Sequence, residues 1–63
     1  MKNFYEELDR NILQHEEFKP YKEHDVYWIC DKIEWCWKWR KITEPQMNEL
    51  VDRICKVMED MCK

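Results

Sequence analysis

The chain has 63 residues, 44% apolar and 40% charged, with a formal net charge of −3. That length supports one small domain, which buries only about 60% of the surface its unfolded form exposes and leaves no cleft between domains for a substrate. Glycine is absent, and because hairpin turns and phosphate-cradling loops generally need it, the composition argues against tight β architectures and P-loops.

The first predicted helix covers about residues 4–18. Asn3 stands at the cap with Glu6 three residues on, the form of a capping box. Glu6 and Glu7 suit the positive end of the helix dipole, and Glu6 precedes Arg10 by four, the better orientation for such a pair. Met1, Phe4, Leu8, Ile12 and His15 recur at spacings of three and four, with Tyr5 alongside, so they form one apolar stripe. Leu13 and Phe18 fall off that stripe, and Phe18 is expected to plug the corner. The helix should fade before Pro20, whose ring pushes the preceding residue out of helical geometry, and Pro20-Tyr21-Lys22 reads as a short connection.

The second predicted helix, about 23–41, organises the rest of the chain. It holds all four tryptophans and two of the four cysteines. At roughly 100° per residue it carries apolar residues on two faces. One face holds Val26, Ile29, Cys30, Ile33, Cys36 and Trp37; the other holds Trp28, Trp35, Trp39 and Ile42, with Lys32 as a polar interruption. A helix that packs on one side needs only one such face. Lys38, Arg40 and Lys41 sit where cations favour the negative end of the dipole.

Thr43-Glu44-Pro45-Gln46 announces a third helix over about 44–61: Thr43 caps, Gln46 reaches back, and Pro45 stands in the first turn, where its missing N–H is harmless. Its stripe is Met47, Leu50, Val51, Ile54, Met58 and Met61, flanked by Cys55, Val57 and Cys62. If the second and third helices run antiparallel about the turn near residues 42 and 43, Val26 faces Met58, Ile33 faces Val51, Trp37 faces Met47, and Cys30 meets Ile54 and Cys55. The same argument sets Ile12 level with Ile29 and Leu8 with Ile33. The expected fold is an all-α, antiparallel up-down-up three-helix bundle, one domain over residues 1–63 with the second helix central.

The charges divide unevenly: seven acids and four bases over residues 1–25, two and four over 26–43, five and three over 44–63. A mildly basic helix between two acidic ones fits mutual attraction better than a nucleic-acid footprint, which draws a larger clustered excess. Trp37-Lys38-Trp39-Arg40-Lys41 interleaves aromatics with bases in the manner of single-strand binders. On a helix, however, those bases scatter to different sides, so nucleic-acid binding stands as the weaker alternative. No catalytic residues are expected, because neighbouring carboxylates such as Glu6–Glu7, Glu16–Glu17 and Glu59–Asp60 do not face each other on a helix. Cysteine spacings of six and seven lack the close pairs of zinc domains, so neither a metal nor any other cofactor is expected. Cys30 and Cys55 fall at one height and are near enough to pair. With no apolar run of signal-peptide or membrane-span length, the location is expected to be cytoplasmic, where packed thiols are the default.

The expected site is therefore a contact surface: Trp28, Lys32, Trp35, Trp39 and Ile42, spaced as a second heptad-like seam. Tryptophan is enriched in binding hot spots. The seam is either covered by the first helix through Leu13 and Tyr5, or presented to another protein, or closed by a second copy of the chain as a homodimer. In size, acidity and want of catalytic residues, the chain resembles the small helical proteins that phages and mobile elements encode to bind and block host proteins. That likeness implies a non-enzymatic inhibitor acting by protein–protein interaction, with no membrane partner.

Overall fold

Helix boundaries in this chain are set by side chains that satisfy the backbone groups left over at each end. In the computed structural model, which describes residues 3–18 and 22–62, three helices form: α1 (Phe4–Glu17), α2 (Val26–Lys38) and α3 (Glu44–Met61). Met1 and the Pro20–Tyr21 part of the first connection lie outside the described residues. Asn3 accepts the Glu6 N–H at 3.2 Å. Thr43 and Gln46 close a reciprocal capping box at 3.0 and 3.3 Å, with Pro45 in the first turn of α3.

The second helix is shorter at both ends than the sequence pattern over 23–41 implies. It starts after Asp25, whose backbone is extended and whose carboxylate accepts the Trp28 N–H at 2.7 Å. The residues before it spend their backbone groups on α1 instead. The Glu23 N–H donates to the Gln14 side chain at 2.6 Å, and the His24 carbonyl accepts from His15 Nε2 at 2.5 Å. At the far end Arg40 takes φ 58°, in the left-handed region. The Arg40 N–H donates to the Trp37 carbonyl at 3.0 Å and the Lys41 N–H to the Cys36 carbonyl at 2.6 Å. These two bonds define a Schellman turn, with arginine where glycine usually stands.

That turn redirects the chain. Ile42, which a longer helix would set beside Trp28 and Trp35, swings inward and is buried in the core. There it joins Leu8, Ile12, Val26, Ile29, Ile33, Cys36, Leu50, Ile54 and Val57. Each pair of helices packs, and α2 with α3 makes the most extensive of the three contacts. Cross-helix partners fix the directions. Phe4 lies beside Trp35 and His15 beside His24, so α1 and α2 are antiparallel. Cys30 meets Met58, while Trp37 and Met47 line one groove, so α2 and α3 are antiparallel too. Tyr5 donates to Glu49 and Asp9 pairs with Arg53, so α1 and α3 run the same way. This is an up-down-up three-helix bundle.

Several expected core positions are displaced. Trp37 stands 45% exposed, because the inward seam of α2 centres on Ile29, Ile33 and Cys36 and leaves Trp37 on the flank toward α3. On α3 the buried positions are Leu50, Ile54 and Val57; Val51 and Met61 face outward, and Met47 and Met58 pack only partly. Phe18 does not plug the corner but is exposed. In their place two polar residues of α1, Asn11 and His15, are each 1% exposed. Among the described residues neither amide atom of the Asn11 side chain has a hydrogen-bond partner.

Arg53 ties α3 to α1. Its guanidinium pairs with Glu16 at 2.6 Å and also with Asp9. The hydrogen bond to Glu16, helped by the one to Asp9, holds it protonated above the usual arginine range against the opposing effect of burial.

Candidate functional site

The apolar residues that the core does not use lie on the two flanks of α2. On the flank toward α1, Trp28 and Trp35 lie seven residues apart, and Trp39 follows at the helix end. They are 36%, 42% and 62% exposed. His24 stacks on Trp28 with centroids 3.7 Å apart and planes inclined by 18°. Phe4, from the first turn of α1, leans on Trp35 at 6.0 Å with a 55° tilt. Lys32 sets its Nζ 4.5 Å from the Trp35 ring centre and 5.3 Å from that of Phe4. Lys41 reaches within 5.9 Å of the Phe4 ring. An ammonium over an aromatic face is attracted by the ring quadrupole, by about 0.5–1 kcal/mol at exposed sites.

The first helix therefore covers this face only in part. Phe4 makes the ring contact with Trp35, and the Tyr5 hydroxyl is turned to Glu49 of α3 at 2.5 Å. That hydrogen bond to Glu49, with some burial, pushes the Tyr5 phenol above its ordinary pKa. Of the five residues read from the sequence, Trp28, Lys32 and Trp35 are brought together and with Asp31 border one shallow recess. Trp39 stands at the C-cap of α2. Ile42 is the exception and belongs to the core.

Phe4 and His24 are part of this face, and sequence reasoning missed them. The spacing sets Phe4 in the apolar stripe of the first helix. The sequence pattern puts His24 inside a helix that begins two residues later. The available signal was the aspartate at 25, a good cap with an apolar residue directly after it.

The other flank of α2 forms a groove against α3, lined by Cys30, Ile33, Glu34, Trp37, Met47, Val51, Ile54 and Cys55, with a volume of about 310 Å³. Glu34 is its one charged lining residue. The Cys30 thiol lies 4.0 Å from the Met58 sulfur. Burial, then the nearby Cys55 and Asp31, push the Cys30 thiol up from its ordinary pKa.

No disulfide forms among the described residues, which include all four cysteines. Among the described residues no three His, Cys, Asp or Glu side chains gather as a metal-binding group, and no helix is long and apolar enough to cross a membrane. No protein-family model, curated protein or solved structure matches the chain.

Proposed function

We propose that the chain is a non-enzymatic protein–protein interaction module that engages another protein through the aromatic face of α2. The observation that carries this reading is the exposure of Trp28, Trp35 and Trp39 after all three helices have packed. A folded chain that leaves three tryptophans in partial contact with water keeps a large apolar area for a second surface to cover. Lys32, held over Trp35, adds a cation beside that area, so the fitting partner surface is apolar with a carboxylate at its edge. By analogy with the small acidic helical proteins it resembles, the partner is a host protein that it blocks, and the place of action is the cytoplasm.

The test compares wild type with Trp39→Glu and Trp35→Glu. Trp39 stands at the helix cap with most of its surface in water, so its variant should keep full helicity by circular dichroism. In a pull-down from host extract, a partner retained by wild type and lost by both variants supports the reading. Equal retention by all three sinks it. Light scattering over a concentration series addresses the rival, a homodimer closed by the same face. A wild-type dimer that both variants make monomeric would replace the hetero-partner with a second copy.

A further inference from the structure

We propose that Cys30, Cys55 and Met58 form a three-sulfur site, between α2 and α3, for a soft monovalent d10 cation, Cu+ being the biologically available one. This site lies on the flank of α2 away from the Trp28–Trp35 face and does not depend on the interaction reading. Three observations carry it.

The first is a distance. With metal–sulfur bonds of about 2.3 Å, the length for thiolate on a d10 ion of this row, three sulfurs in a trigonal plane stand about 4.0 Å apart. The Cys30 and Met58 sulfurs are 4.0 Å apart before any metal enters. The second is the placement of the third ligand. Cys55 precedes Met58 by three residues on α3, so the two project from neighbouring positions of one helix face. Cys55 also lines the same groove as Cys30. The third is the donor set and its surroundings. Thiolate and thioether together select Cu+ over harder ions. Ile33, Val51 and Ile54 line the groove beside them, and its one carboxylate, Glu34, does not gather with Cys30 and Cys55 into a metal-binding group, so the four-coordinate shell that zinc takes is not assembled. The methionine side chain, flexible and polarizable, adapts its sulfur to the ion without moving the helix.

Binding is a proton exchange with no electron transfer. Cu+ enters, two metal–thiolate bonds form at Cys30 and Cys55, the Met58 thioether donates a lone pair, and two thiol protons leave to solvent.

The experiment titrates the full chain, reduced and under anaerobic conditions, with Cu+ supplied as its acetonitrile complex. A chromophoric Cu+ chelator competes, and X-ray absorption reads the ligand shell. The expected result is one ion per chain with an all-sulfur shell and two protons released. Cys55 is exposed and Met58 half-buried, so Cys55→Ser and the volume-conserving Met58→Leu should both fold, with circular dichroism as the check. Outer-shell partners alone are worth about 10–100-fold in metal affinity, so Cys55→Ser should weaken binding by about 100-fold or more, and Met58→Leu by about tenfold. Cys62→Ser, two turns beyond Cys55, should leave it unchanged. No binding in the micromolar range, an ion held equally by Cys55→Ser, or a loss on Cys62→Ser as large as on Cys55→Ser would overturn the assignment.

Discussion

Arg40 holds the left-handed position of the Schellman turn that ends α2, and replacing it tests the turn directly. A side chain with a Cβ in that region costs about 1–2 kcal/mol relative to right-handed geometry, and glycine does not carry this cost. Against that, glycine has more unfolded-state freedom to lose, about 0.5–1 kcal/mol compared with alanine. The net expectation for Arg40→Gly is a gain of about 0.5–1 kcal/mol. For a domain of this size, 1 kcal/mol moves Tm by about 4–8 °C, so a rise of about 2–8 °C is expected in a thermal melt followed by circular dichroism. Arg40 also brings a cation to a helix C-terminus, worth about 0.3–1 kcal/mol at low ionic strength. The melt should therefore be run in moderate salt beside Arg40→Ala, which removes the charge and keeps the Cβ. Glycine should exceed alanine, and Arg40→Val, β-branched, should fall below both. Equal melts for glycine and alanine would refute the reasoning. Residue 40 would then not be left-handed, α2 would continue past it, and Ile42 would lose its place in the core.

Other perturbations follow from groups already placed. Asn11→Leu replaces a buried amide without hydrogen-bond partners by an apolar group and should stabilise by about 1–3 kcal/mol; a loss of stability in urea melts would show that the amide is satisfied in solution. Arg53→Met keeps the aliphatic stem but removes the pairing with Asp9 and Glu16. Because these groups are part-exposed, the expected loss is only about 1 kcal/mol, and added salt should narrow the gap between variant and wild type; a gap that ignores salt would contradict an ionic origin. Cys30 should alkylate more slowly than the exposed Cys62 when labelled sites are mapped by mass spectrometry, since burial raises its thiol. The sign is that of a raised group: its contribution to stability is whole below the ordinary thiol value of about 8.5 and is lost as pH rises through the folded value. Equal labelling rates at both cysteines would contradict this.

The two expected caps were legible because they are local: Asn3 and Thr43 each present a short polar side chain just before an apolar stripe. The start of α2 was less so, since Glu23, His24 and Asp25 all suit a first turn, and the decision falls to Gln14 and His15 of another helix. Its end was illegible for a chemical reason. Glycine, the usual signal of a left-handed cap, is absent, and Arg40 in a basic run looks like ordinary helix. The error on Ile42 follows from that one residue. A second apolar face on α2 could be read from spacing alone. That Phe4 would lean on it depends on how α1 is rotated about its own axis, and Asn11 and His15 in the interior mark that rotation. The spacing already sets His15 on the stripe of the first helix, whereas a scheme that counts only apolar residues passes over Asn11.

The concentration of every tryptophan on the middle helix and its C-cap gives the protein a built-in optical reporter. Neither α1 nor α3 contributes an indole, so intrinsic emission tracks the surroundings of α2 alone. Because these rings already meet water in the folded chain, unfolding should red-shift the spectrum only modestly. Covering Trp28, Trp35 and Trp39 should move it the other way, to shorter wavelength. Denaturation and capture by a partner can then be told apart by the direction of a single spectral shift, with no label attached.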